Sequence, residues 1–240
     1  MSSRNVPPAW YGNGSSQYLL GADHLGRDLL SRVIYGARIS LMVGTVSLVA
    51  GLVVGTVLGL LAGYFGGHVD EAVMRLVDLS LAIPYILIAL VVVIAFGQKL
   101  GVILGILAFT TWGAIARQVR ADALQVKQLD YVALARVAGA SAWRIEYKHI
   151  FPGVVNTLIV VATLRIGSLI LLEAILSFLG AGIPPPTPTW GGMVSDGRDY
   201  LRDAWWITFF PGMAIFLTVL ALNFLGDWLR DRLDPRLRQL

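Results

Sequence analysis

Two ionisable residues interrupt an otherwise apolar stretch, VVNTLIVVATLRIGSLILLEAILSF over 154–178: Arg165 and Glu173. Charge at membrane depth is costly and normally faces water or a partner. A spacing of eight offsets the two by roughly 80° around a helix, so they need not meet each other. They could line a polar pathway or pair across a subunit interface. The plainer alternatives are a structural ion pair, or an Arg165 that snorkels to the membrane rim. Other reactive patterns are missing from the sequence. His24, His68 and His149 are scattered and form no metal-ligand set, and there is no cysteine. Neither a Gly-x-x-x-x-Gly-Lys-Ser/Thr phosphate loop nor a His-Glu-x-x-His pair occurs.

The elements that must position these residues are membrane spans. Of 240 residues, 56% are hydrophobic and 14% charged, and the mean hydropathy is +0.71. A soluble domain carries roughly 25% charge. Apolar runs at Ile39–Tyr64, Val77–Phe96 (with Pro84 inside), Val102–Ile115, Val154–Phe178 and Ile207–Leu225 predict five spans. The net charge of +4 sits in the loops, which speaks against a nucleic-acid face. Alternate loops must share a side. Those at 65–76, 117–153 and 226–240 hold eleven Lys and Arg, against seven in 1–38, 97–101 and 179–206. The first set is therefore expected in the cytoplasm. That places the leader outside without a signal sequence, since its first eighteen residues lack an apolar core. A further span ahead of residue 1 is the economical expectation; a tail that translocates with the first span is the alternative.

Three segments carry physical signatures. Gly51, Gly55, Gly59 and Gly63 share one helix face, which lets a second helix approach closely or slide. GRDLLSRVIYGARIS alternates Leu29, Val33 and Ala37 with Asp28, Arg32 and Arg38, as in an amphipathic helix on the membrane surface or on the bundle. The loop at 179–206 carries Pro184, Pro185 and Pro186, expected to be stiff and extended. Trp190, Trp205 and Trp206 follow, as interfacial anchors or as part of a docking surface for an external protein.

The loop at 117–153 is too long for a passive link. Asp130 is expected to cap a helix over Tyr131–Ala138, Gly139 to break it, and Ser141 to cap a second helix toward Pro152. Apolar Leu134, Val137, Trp143, Ile145, Ile150 and Phe151 stand among basic residues. Such a knob fits a groove on another protein or lies on anionic lipid.

This segment resembles the EAA loop of ABC-importer permeases, Glu-Ala-Ala, three residues, Gly, nine residues, Ile-x-Leu-Pro. Here Ala133-Leu134-Ala135, Gly139 and His149-Ile150-Phe151-Pro152 keep the spacing, with Ala133 in place of Glu. The stretches LGADHLGRDLLSRVIYGARISL, FLGAGIPPPTPTWGGMVSDGRDYL and FPGMAIFLTVLALNFLGDWLRDRLDPRL resemble the C-type subunit of the dipeptide, oligopeptide and nickel branch. The likeness covers roughly residues 15–240, and relatives usually carry six spans.

The resemblance implies an all-α polytopic bundle of the type I importer kind, with a leader over 1–38, a permease domain over 39–226 and a cytoplasmic tail over 227–240. It implies a non-catalytic half-channel in the bacterial inner membrane that pairs with a homologous permease. Two cytoplasmic ATPases would hold the ATP and Mg, and this chain would need no cofactor of its own. An extracytoplasmic binding protein would deliver a peptide or a related solute such as a nickel chelate. Ala133, Leu134, Ala135, Gly139, Ala140, Trp143, Arg144, His149 and Pro152 would form the ATPase-coupling loop. Two rival readings remain on the residues alone. A secondary transporter would want paired repeats and more intramembrane charge. A non-transport scaffold gives no reason for the helix–glycine–helix loop.

Overall fold

The computed structural model describes residues 4–233. Its helices are α1 (Leu29–Phe65), α2 (Gly67–Ala82), α3 (Tyr85–Phe96), α4 (Leu100–Val126), α5 (Asp130–Val137), α6 (Ala142–Phe178), α7 (Trp190–Gly197) and α8 (Trp206–Leu233). No strand occurs among the described residues. Arg236 and Arg238 of the basic tail lie outside them.

Four helices, α1, α4, α6 and α8, are long and apolar enough to cross a membrane. The expected second span is not one straight helix. It consists of α2 and α3, bent by 83° at the break. Pro84 has no N–H to give and pushes Ile83 into an extended conformation, φ −91° and ψ 126°, which ends α2. Counting the bent pair as one span gives five.

The expected surface helix before the first span is also not separate. Residues 29–38 run straight into α1, a rod of 37 residues and about 55 Å. Asp28 starts it, accepting from the Ser31 N–H at 2.8 Å and the Ser31 hydroxyl at 2.6 Å. Nothing after it stops the helix, because a lone Gly36 costs only about 1 kcal/mol. The short third apolar run gains its flanks and becomes the 27-residue α4.

The residues form two compact units. One holds the chain to Val46, Ala89–Ile106 and Ile166–Ala221; the other holds Ser47–Ile88, Leu107–Arg165 and the chain from Leu222. In the first, Leu29, Met193, Ala204, Trp206 and Ile207 make a buried cluster. Trp190 and Trp206, expected as interfacial anchors, are core residues here. Trp190 Nε1 donates to the Val33 carbonyl at 2.9 Å, and Trp206 Nε1 to the Ala22 carbonyl at 3.2 Å. Each buries its apolar body while the indole N–H finds a backbone carbonyl, and Trp206 belongs to this cluster. The peptide between Pro185 and Pro186 is cis, unlike the extended run expected.

In the second unit the glycine face of α1 meets α4. A Cβ on Gly55 would stand 2.6 Å from the Trp112 carbonyl oxygen, and one on Gly59 2.6 Å from that of Ala116. On Gly63 it would stand 2.7 Å from Ala123 Cβ, and on Gly51 2.9 Å from Thr111 Cβ. All four glycines therefore serve a close backbone approach.

Candidate coupling segment and polar pocket

The segment after α4 is a helix, a glycine turn and a second helix, with both buried and exposed apolar residues. Leu129, not Asp130, is the N-cap of α5, and neither it nor Ser141 caps through its side chain. The turn closes through backbone bonds instead. Ala138 N–H donates to Leu134 O at 2.9 Å, Gly139 N–H to Arg136 O and Ala140 N–H to Ala135 O, both at 3.1 Å. Gly139 has φ +79° and no neighbour within 4 Å of a would-be Cβ, so its role is conformational alone.

The second helix does not stop at Pro152. It is the start of α6 and runs on through Phe178. A π turn over Glu146–Ile150 makes this possible. Pro152 cannot donate to the carbonyl four residues back, and its ring crowds that oxygen. The wider turn relieves the crowding, with Phe151 N–H donating to Glu146 O.

Val132, Ile145 and Ile150 point inward and pack with Val119, Ala123 and Val154. Tyr131 also holds the second helix, its hydroxyl donating to His149 O at 3.2 Å. Four large apolar residues stay exposed: Leu134 is 68% exposed, Val137 87%, Tyr147 77% and Trp143 67%, the last with its ring edge-on to Phe65 of α1 at 6.0 Å. Arg136, Arg144 and Lys148 stand exposed among them. Ala133, Pro152 and Gly139 are exposed as well, and Ala135, Ala140 and His149 half-buried. Of the apolar residues expected on the knob, Ile145 and Ile150 are interior. Tyr147 takes their place, one turn after Trp143, a spacing that was readable in the sequence.

The intramembrane charges have separate surroundings. Glu173 is buried in the first unit; Oε1 accepts from Ser177 Oγ at 2.7 Å and Oε2 has no partner. Arg165 belongs to the second unit and is half-buried. Two further charged sites were not visible in the sequence. Arg120 on α4 pairs with Asp70 on α2, and Glu146 is buried with Oε2 unpartnered.

The first unit also contains a polar pocket. Asp23, fully buried, accepts the backbone N–H groups of Leu25 and Arg27, both at 2.9 Å. Arg27 Nε donates to it at 2.6 Å, and Arg32 Nη1 donates to the same oxygen. Burial works to raise this carboxyl, but the bonds from Arg27, Arg32 and Leu25 together outweigh it and hold it below its ordinary value. Arg27 and Arg32 also face Asp196 of α7 at 3.9 and 3.6 Å. Trp190, expected on the external docking surface, lies buried beside this region, while Pro184 is half-buried and Pro185 and Pro186 are exposed.

Residues 55–239 match the family model described as binding-protein-dependent transport system inner membrane component. The chain is 51% identical over 234 residues to the dipeptide transport system permease protein DppC of Escherichia coli K12, covering 98% of this chain and 78% of that one. It is 45% identical over 233 residues to the di/tripeptide transport system permease protein of Pseudomonas aeruginosa (97% and 77% covered). It is 46% identical over 224 residues to the glutathione transport system permease protein of Pectobacterium atrosepticum (93% and 74%). Among solved structures, the MetNI methionine ABC transporter in inward-facing form superposes with a TM-score of 0.69 at 20% identity, over 86% of this chain and 98% of that one. At that identity the likeness speaks for the fold.

Proposed function

Because this chain belongs to the family of binding-protein-dependent transport system inner membrane components, we propose that it is the permease subunit of an ATP-driven importer of di- or oligopeptides. The observation that carries the coupling role is the exposure of Leu134, Val137, Trp143 and Tyr147 on a helix–turn–helix held by the buried Val132, Ile145 and Ile150. Trp143 and Tyr147 beside Arg136 and Arg144 are the residue types that dominate the energetics of protein interfaces. A surface of that shape suits insertion into a groove on an ATPase.

In this reading two ATPases hold the ATP and Mg, and this chain hydrolyses nothing. A homologous permease supplies the other half of the pathway, and an external binding protein delivers the peptide. The loop over 117–153 and the tail from 227 face the cytoplasm of a bacterial cell, as the excess of Lys and Arg in those loops supports. The leader over 1–38 and the loop over 179–206 face outward, with Pro184–Pro186 toward the binding protein. Arg165 and Glu173 serve the pathway or the permease–permease contact. The relatives' cargoes, dipeptides, tripeptides and glutathione, support a peptide cargo here.

Extraction from membranes in mild detergent, with co-purifying chains identified by mass, tests this. A second permease together with one or two ATPases is the expected outcome. A lone chain or a homo-oligomer still competent for transport would overturn it.

A further inference from the structure

The pocket lined by Arg27, Arg32 and Asp196, beside the buried Asp23, has a volume of about 260 Å³, and the coupling role makes no use of it. Its polar groups are under-used. A guanidinium offers five N–H donors. Arg27 and Arg32 each give one to Asp23, and their Nη2 atoms stop 3.9 and 3.6 Å short of Asp196, beyond hydrogen-bond reach. Arg27 and Asp196 remain 35% and 34% exposed in their side chains, so solvent reaches both. His24 also lines the pocket; its ring stacks on Tyr200 at 5.2 Å, and its buried Nδ1 has no partner. Buried polar atoms seldom go unsatisfied in a finished structure. A concave site with a few convergent polar groups is the usual form of a small-ligand site.

The charges select the ligand. Asp23 and Asp196 balance Arg27 and Arg32, so a simple anion would meet Asp196 and a simple cation the two arginines. A ligand carrying both signs satisfies both ends. We propose that this pocket binds a zwitterionic peptide, its terminal carboxylate on the outward N–H groups of Arg27 and Arg32 and its terminal ammonium on Asp196. The proposal rests on the reading of the chain as a peptide permease and adds a cargo site within it. Asp23 does not touch the peptide; it is the positioning residue that fixes both arginines.

Calorimetry on the assembled transporter in nanodiscs, without the binding protein, tests this with Ala-Ala, N-acetyl-Ala-Ala and Ala-Ala amide. Ala-Ala is expected to bind, and each blocked peptide at least about tenfold more weakly, the loss of one charge pairing. Asp196→Asn should weaken Ala-Ala by a similar factor and tighten N-acetyl-Ala-Ala, whose lone carboxylate no longer meets the Asp196 charge. The blocked peptides are read on the wild-type protein, so the result does not hang on any variant folding. Absence of Ala-Ala binding, equal affinity for the blocked peptides, or an Asp196→Asn variant that binds all three like wild type would overturn the site. Peptide uptake by the complete transporter, measured in parallel, separates the two ideas. Intact uptake with any of these results removes the pocket alone, whereas failure to take up any peptide removes the peptide reading itself.

Discussion

Arg120 grips Asp70 at two points: Nη2 donates to Oδ2 at 2.5 Å, and Nε donates to Oδ1. The pair joins α4 to α2 across fifty residues of sequence and is half-buried. A two-point bond between a planar guanidinium and a carboxylate is specific to arginine. Arg120→Lys keeps the charge and loses the fork, so it should cost about 1–3 kcal/mol. The check is the unfolding temperature of the purified complex, which should fall for Arg120→Lys. Arg75→Lys, at an exposed pair with Glu71, should leave it unchanged.

The glycine seam gives a second test. At Gly59 an added methyl would meet the Ala116 carbonyl at 2.6 Å, and backbone cannot move aside as a side chain can. Gly59→Ala should therefore lower the yield and heat resistance of the complex. Gly105→Ala in α4 meets nothing within 4 Å, and alanine is the better helix former by up to about 1 kcal/mol. It should be neutral or mildly stabilising, and detergent-solubilised thermal melts would separate the two.

At Gly139 the cost is conformational. A φ of +79° costs an ordinary L-residue roughly 1–2 kcal/mol, and a β-branched one more. Gly139→Val should re-aim α5 relative to α6 and lower cargo uptake per ATP hydrolysed severalfold. Gly139→Asn should stay near wild type, because asparagine tolerates this conformation. A Gly139→Val transporter with unchanged coupling would remove the turn from the coupling role.

The Asp23 cluster predicts an acid-side loss of stability. Its carboxyl lies below the ordinary 3.8 in the fold, so its contribution is complete above pH 3.8 and disappears as pH falls through the lower, folded value. Asp23→Asn should remove that contribution at neutral pH. It should also flatten the dependence of unfolding temperature on pH in the range below 4.

The features legible in the sequence were those written at short range. The apolar runs, the glycine row and the break at Gly139 follow from periods and residue types within a single helix or turn. Pro84 was visible, but the 83° bend it makes depends on how α2 and α3 pack. The charges at 141–152 hid that this stretch is the head of α6, because nothing local announces a π turn that accommodates Pro152. Trp190 looked like an interfacial anchor because only the fold supplies the Val33 carbonyl that its indole finds 157 residues away. The meeting of Asp23, Arg32 and Asp196 is equally non-local, and a single sequence carries no periodic signal for it.

The seam between α1 and α4 also limits how this unit can deform. Over four successive turns the only side chains of α4 that the glycines meet are Thr111, Ile115, Val119 and Ala123, all small or stiff at χ1, so none can switch rotamer and let the helices shear. Mechanically, residues 47–65 of α1 and 107–126 of α4 act as one stiff beam. In the proposed coupling role, displacement delivered to α5 would be taken up in the joints that flank the beam: the paired glycines 66 and 67, the bend at Pro84 and the turn at Gly139.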